Sequence, residues 1–489
     1  MQSTTGRPAR SRWLCVFLAC LLALLPVAGL QAQSLGPYRV PANRMPQDLA
    51  SAGLPPDLQP DFPSIYVPPG YIPPGKMIVD TDTGVDDAAA LAWLMMQAGQ
   101  VELLGIVTVA GNTTVENATQ NVLTLLMSAG WPVEEWPSVI TGAAKPQNRK
   151  LSSTGKLIHG TDGLGYMRYA LSGVFFLQGS EGKAPKDATA FYCSQAPSSP
   201  EAEPITILAL GPLTNIAAAI KKCPNEMLRY QYVILGGNRG LGNQTPSAEY
   251  NFWQDPDSAQ RVFTAGIERL IVVPTDAFAQ FALTLGDTYP LLSPDQMPLA
   301  QVVGGALAYY TGVLSFGDDS LPVSVPDPAA AMIAVYPQYF APYDPSGFGA
   351  ISEGLVKVNK EPEPEYLRGT STIGIYAYNE PLTVIAKDKE LSALYDRLLD
   401  GVTTAEDAFG KVYEWQAAIM ELYAQEGPNA QVVLFLDGAA MRACFLGAFG
   451  VPGYEDACPS PIVAETDANT AISSVDGEPD LYLPILASE

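Results

Sequence analysis

The chain has 489 residues, enough for one large α/β domain with extensions or for two to three ordinary domains. Hydrophobic residues make up 47 %, so a sizeable core can form, and a net charge of −24 excludes holding nucleic acid through its phosphates. The same acidity suits a soluble extracellular protein or one with cation sites.

At the N-terminus, Arg7, Arg10 and Arg12 precede an apolar run over 13–25, then Pro26 and small residues near Ala28 and Ala32. That layout reads as a secretory signal over residues 1–32. A signal anchor is the competing reading, but the run is short for a bilayer span. Cys20 sits too early in it for a lipidation box. Cleavage removes three arginines and no acid, moving the charge from −24 to −27. No later stretch reads as transmembrane. Four cysteines remain: Cys193, Cys223, Cys444 and Cys458. Their spacing suggests bridges 193–223 and 444–458 in an oxidising compartment, with other connectivities open. Zinc does not fit, because there is no CxxC pair and His159 is the single histidine of the sequence.

Residues 33–75 are rich in Pro and polar residues and read as an extended arm. From Lys76 the pattern alternates between strand and helix. Strands are expected at 77–79, 101–109, 204–210, 232–235 and 270–273, and helices at 88–97, 115–128, 214–221, 329–335 and 390–399. Such alternation predicts an α/β fold: an open, mainly parallel sheet flanked by helices over 76–402. Residues 403–489 read as a C-terminal extension with one amphipathic helix (405–424), the second cysteine pair and an acidic tail.

The centre of this pattern is the stretch KMIVDTDTGVDDAAALAWLMMQ, residues 76–97. A short apolar run delivers Asp80 and Asp82 into a Thr83-Gly84 turn, and Asp86 and Asp87 open a helix. Four carboxylates within eight residues repel one another, and such a cluster persists where a cation or protonation relieves the repulsion. A solvated acidic loop is the bland alternative. Its place after an apolar strand favours a site, because open α/β sheets bind ligands at the carboxyl ends of their strands. A phosphatase of the haloacid-dehalogenase type also places DxD after its first strand, but wants Thr or Val where Gly84 stands. An EF-hand loop fails at the same glycine.

Other strand ends carry polar residues too: Asn112 after the second strand, Asn215 after Ala209-Leu210-Gly-Pro, and Asn238, Asn243, Glu249 and Asn251 after Gly236-Gly237. Asp327 opens the helical run near residue 329. Any one asparagine has an ordinary reading as a turn or cap residue. Together they can hold a polyhydroxylated ligand through paired donors and acceptors.

These segments resemble the inosine–uridine-preferring nucleoside hydrolases. Asp80-Thr-Asp82-Thr-Gly-Val-Asp86-Asp87 is similar to that family's DxDxxxDD signature. The likeness continues through VTVAGNTTVENATQNVL, HGTDGLG, ILALGPLTNIAAAI, VILGGN, AEYNFWQDPDSAQ and PDPAAAM, in order, over roughly 76–402. It implies hydrolysis of the N-glycosidic bond of ribonucleosides, giving ribose and free base, with Ca2+ held by Asp82, Asp87, Asp327 and the carbonyl of Leu210. It further implies Asp82 as general base toward water, through an oxocarbenium-like transition state. Asp86 would clamp the ribose with Asn112, Asn243, Glu249 and Asn251, and Asp327 would touch the substrate as well. Asp80 would support the loop. His159, within HGTDGLG, is a loop residue by default and matches a substrate-contacting position by resemblance. The family also implies a small-molecule ribonucleoside partner and a homo-oligomer.

One departure is Pro326. In well-studied members the residue before the last metal-binding Asp is often His, the leaving-group acid, or Trp, stacking on the base; proline does neither. Tyr166, Tyr250 and Trp253 are the aromatic candidates to replace that contact. Sequons stand at Asn112, Asn117 and Asn243, and only Asn117 lies clear of the expected pocket. The rival reading is a weakened, secreted, calcium-dependent nucleoside or sugar binder of the same fold.

Overall fold

The computed structural model describes residues 71–152, 154–168, 187–240, 242–341, 351–360, 368–375, 428–455 and 457–459. The expected signal over 1–32, most of the arm over 33–75, the helices at 390–399 and 405–424 and the acidic tail lie outside the described residues.

Nine strands form the main sheet: β1 (Lys76–Thr81), β2 (Glu102–Thr108), β3 (Ser138–Thr141), β4 (Ile205–Ala209), β5 (Gln231–Leu235), β6 (Leu270–Val273), β9 (Ile351–Val358), β10 (Ser371–Ile375) and β11 (Ala430–Val433). A separate pair, β7 (Ala282–Leu283) and β8 (Val323–Ser324), lies apart. The order across the sheet is β10-β9-β11-β6-β5-β4-β1-β2-β3. The strands from β3 to β11 pair in parallel, while β9 runs antiparallel to both β11 and β10.

Parallel strands buried on both faces need apolar residues at successive positions, and KMIVDT has them. Alternate side chains then serve opposite faces. Met77, Val79, Leu208, Val233 and Ile271 join one core, and Ile78, Ile207, Tyr232, Ile234 and Val272 the other. Helix α1 (Val85–Met96) is buried along almost its whole length, as a helix apolar all round must be. It lies against α2 (Val115–Ser128), α3 (Pro298–Leu314) and α4 (Pro326–Val335). The end of the arm docks too: Tyr71 donates to the Ala334 carbonyl at 2.7 Å and is buried.

The sheet does not stop at residue 402. Strand β11 inserts between β6 and β9, and helix α5 (Gly438–Ala448) packs on α4 and α1. Arg442 of α5 forms an ion pair with the part-buried Asp287. Sequence gives no sign of this, because a four-residue strand beyond a long interval has no local signal linking it to β6. Both cysteine pairs are joined, Cys193–Cys223 and Cys444–Cys458. Among the described residues, no helix is long and apolar enough to cross a membrane.

Chain order and spatial order diverge at β1. The chain moves outward from β1 through β2 to β3, then returns to β4 on the other side of β1. A crevice opens at the carboxyl ends of strands at such a reversal. The aspartates of the 76–97 stretch emerge there.

Candidate active site

Strand β1 ends in a tight turn. Thr83 adopts φ 29°, a conformation uncommon for a residue with a side chain, and its N–H donates to the Thr81 hydroxyl at 3.0 Å. The Thr81 hydroxyl in turn donates to Asp87 Oδ1. Gly84 N–H reaches Asp87 Oδ2 at 2.9 Å, so the carboxylate caps the helix that it opens. The turn thereby fixes Asp86 and Asp87 at the N-terminus of α1, where the helix dipole favours negative charge.

One carboxylate oxygen from each of Asp86, Asp87 and Asp327 lies within 4.8 Å of the others. All three side chains are buried. Asp327 comes from the first turn of α4, and the α1–α4 contact brings it to the loop after β1. Burial pushes Asp86 up to about 8, with Asp87 beside it adding to the shift. Burial likewise raises Asp82 and Asp327 well above the ordinary carboxylate range. Asp86 Oδ1 and Asp327 Oδ2 are buried and accept no hydrogen bond. Orphaned carboxylate oxygens around one point, with no sulfur donor in the group among the described residues, fit a hard divalent cation such as calcium.

Of the expected ligands, Asp87 and Asp327 meet in this group. Asp86, read as a sugar clamp, belongs to the carboxylate group with Asp87 and Asp327. Asp82 sits against Asp87 and is held by Asn112, whose N–H donates to Asp82 Oδ2 at 2.6 Å. The Asn112 amide also donates to Asp82 Oδ1 at 3.4 Å and to Asp87 Oδ2 at 3.0 Å. The Leu210 carbonyl accepts from Asn251 Nδ2 at 2.7 Å, which leaves its second lone pair for another partner.

Asp80 lies one layer deeper. Tyr192 OH and Asn215 Nδ2 (3.0 Å) both donate to its Oδ2, and Asn215 also bonds the Thr108 carbonyl and the Ala143 N–H. Burial raises Asp80 to about 7 against those two hydrogen bonds. Through Asn215 it ties β1 to the ends of β2 and β3.

Above the carboxylates is a cavity of about 350 Å³. Asp86, Asn112, His159, Leu210, Asn243, Glu249, Asn251 and Asp327 line it; Asp80, Asp82 and Asp87 do not. Glu249 caps the short helix Tyr250–Gln254 by accepting from the N–H groups of Asn251 and Phe252, and takes a third bond from Gly237 at 3.0 Å. Burial nevertheless raises it to about 7. Asn243 Oδ1 accepts from Tyr250 N–H, so this amide also shapes the rim. His159 Nδ1 accepts from Val85 N–H at 3.1 Å and lies 3.6 Å from Asp86 Oδ1. Burial lowers the imidazole to about 4, so it is neutral at ordinary pH.

Of the three aromatic candidates, Tyr250 alone lines the cavity, its hydroxyl bonded to the Gly111 carbonyl at 2.7 Å. Tyr166 stands against Tyr309, and Trp253 lies beneath Arg368 at 4.5 Å. Sequence reasoning missed Thr275, Phe278, Tyr310 and Ser324, which line the cavity with Pro326. They come from the short helix Thr275–Phe278 after β6, from α3 and from β8; no local motif marks them, and only the apolar helical run over 298–314 could have drawn notice. At the Asn117 sequon, Nδ2 donates to Thr113 Oγ1 (3.0 Å) and the Thr161 carbonyl (3.2 Å), contacts a glycan on that nitrogen would break.

Residues 77–443 match the family model described as inosine-uridine preferring nucleoside hydrolase. Probable uridine nucleosidase 1 of Oryza sativa subsp. japonica is 34 % identical over 267 residues, 54 % of this chain and 78 % of that protein. The non-specific ribonucleoside hydrolase RihC of Escherichia coli is 37 % identical over 210 residues, 42 % of this chain and 64 % of its own. A solved plant nucleoside hydrolase shares the fold with a TM-score of 0.56 and 25 % identity, over 78 % of this chain and 100 % of that one.

Proposed function

This chain belongs to the inosine-uridine preferring nucleoside hydrolase family, whose members are N-glycosyl hydrolases of ribonucleosides, and from that premise we propose a secreted, calcium-dependent enzyme releasing ribose and free base. The observation that carries the calcium reading is the meeting of the buried Asp87 and Asp327 carboxylates at the cavity floor, with Asp82 against Asp87 and Asp86 beside them. Secretion rests on the signal-like N-terminus and on four cysteines joined in pairs.

In this reading Asp82, Asp87, Asp327 and the Leu210 carbonyl would hold the cation, which when bound would relieve the carboxylates' mutual repulsion and polarise water. Asp82 takes the proton of the attacking water, and the two Asn112 hydrogen bonds aim its carboxylate. Asp86, Asn112, Asn243, Glu249 and Asn251 hold the ribose hydroxyls, and His159 touches the substrate from beside Asp86. Fixing the sugar by several hydroxyls supplies position, and the buried negative groups favour the positive charge that develops at the anomeric carbon.

The test is release of ribose from inosine, adenosine and uridine by the purified full chain, with and without chelator. Asp87→Ala is expected to lose calcium and turnover together. Asp86→Ala is expected to keep calcium and lose affinity for ribose; loss of calcium in that variant assigns Asp86 to the cation instead. The rival reading, a calcium-dependent binder, draws on Pro326 in the cavity wall, where a proton donor would serve the departing base. Nucleoside binding without any ribose released would favour the binder.

A further inference from the structure

Tyr250 lines the cavity, yet the reaction described above gives it no task. Its main chain is fixed: it opens the short helix that Glu249 caps, and its N–H donates to Asn243 Oδ1 at 2.8 Å. The half-buried side chain reaches across the crevice. Tyr250 follows β5, but its hydroxyl donates at 2.7 Å to the carbonyl of Gly111, which follows β2. Strands β4 and β1 lie between those two in the sheet. The phenol therefore ties together loops from opposite sides of the crevice. Burial, with Asp82 and Glu249 nearby, holds it well above its ordinary value, so it keeps its proton and stays the donor.

The acceptor belongs to the peptide group that holds Asp82. The Gly111 carbonyl and the Asn112 N–H are the two ends of one planar trans peptide and point to opposite sides of it. That N–H is the donor that grips Asp82 Oδ2 at 2.6 Å. Phenol, peptide and carboxylate thus form one hydrogen-bonded chain from the cavity wall to Asp82. The first bond acts on the second in two ways. A proton at the carbonyl oxygen draws electrons through the C–N bond and makes the N–H a stronger donor, because bonds in a chain polarise one another. It also stops the peptide from rotating, a motion that glycine at 111 leaves free of side-chain limits. Phenylalanine at 250 would keep the ring and lose both effects.

We propose that Tyr250 is a positioning residue for the general base: its hydroxyl holds the 111–112 peptide so that the Asn112 N–H aims Asp82 at the attacking water. The proposal rests on the hydrolase reading above, in which Asp82 takes the proton of that water. Stacking on the base, the other task open to this side chain, uses the ring alone and does not need the hydroxyl.

The experiment is Tyr250→Phe in the full chain, saturated with calcium, with ribose release from inosine, adenosine and uridine measured beside the parent. kcat is expected to fall about tenfold, part of the 10²-fold cost of a group misplaced by about 1 Å. KM should stay within twofold, because the ring and the sugar contacts remain. A fall in kcat of less than threefold overturns the proposal and leaves the hydrolase reading standing. A raised KM with unchanged kcat does the same, and assigns Tyr250 to holding the substrate. No ribose from any nucleoside with the parent chain overturns both. A second readout follows the Asn112 amide proton in protein labelled with ¹⁵N-asparagine. Its resonance should move upfield in Tyr250→Phe as the bond to Asp82 weakens, and an unmoved resonance overturns the proposal. The thermal midpoint reports whether the variant is folded in both measurements.

Discussion

Gly111 is the sharpest steric test of how Asp82 is held. A Cβ built there would meet Asp82 Oδ2 at 1.9 Å, its Cγ at 2.7 Å and Pro212 Cδ at 2.8 Å. Real contacts of this kind do not fall below 3.0 Å, so Gly111→Ala must open the gap by at least about 1.1 Å. Gly111 is not among the residues with positive φ, so alanine brings a clash without backbone strain. The carboxylate is the mobile partner. Asn112 N–H grips the same oxygen at 2.6 Å, so moving Asp82 breaks the bond that aims it. A misplacement of about 1 Å costs on the order of 10²-fold in rate. The accompanying loss of stability is about 1–3 kcal/mol, a few degrees in Tm for a domain of this size. Ribose release under saturating substrate should therefore fall about 10²-fold while the melting transition stays cooperative. Gly99→Ala, where a Cβ meets nothing within 4 Å, is the control with parental rate. A Gly111→Ala protein with kcat within threefold of the parent would refute the placement of Asp82 as base.

Further outcomes follow from the same contacts. Tyr192→Phe removes one of the two donors to buried Asp80 and should destabilise by about 1.5–3 kcal/mol, the range for a hydrogen bond to a charged group, measured by urea unfolding. In calcium-free protein, Asp80 and Glu249 each titrate in the folded state at about 7, above their ordinary values of 3.8 and 4.5. The folded state then binds more protons than the unfolded one between about pH 4 and 7, so stability should fall as pH rises through that window. Flat unfolding free energies over that range would contradict the burial of these carboxyls. Alkylation of non-reduced protein should find no free thiol among Cys193, Cys223, Cys444 and Cys458. Losing the Cys444–Cys458 bridge, which spans 14 residues, should cost about 3 kcal/mol.

Much of the fold was legible because its signals are local. Parallel strands buried on both faces leave unbroken apolar runs, and each run here ends at a turn or a polar residue that sequence order alone exposes. The helix at 115–128 and the strand at 270–273 were readable to the residue for that reason. The acidic stretch was legible too, since four carboxylates between a strand and a helix are unusual wherever they fold. Strands β9, β10 and β11 were not legible: β10 and β11 are short, β11 stands far along the chain from β9, and it gains its meaning from neighbours such as β6.

By itself, then, the sequence determined the chemistry of the loop after β1: which carboxylates stand there, at what spacing, and that they need a cation or protons. Tertiary structure alone decided which of them meet. Asp327, more than two hundred residues on, joins Asp86 and Asp87 because α4 packs across α1, whereas Asp82 is turned toward Asn112 by the strand β2 beside it. It also decided what else lines the cavity. Phe278, Tyr310, Ser324 and Pro326 carry no shared local pattern, and they become one wall only because separate elements close around a single cavity.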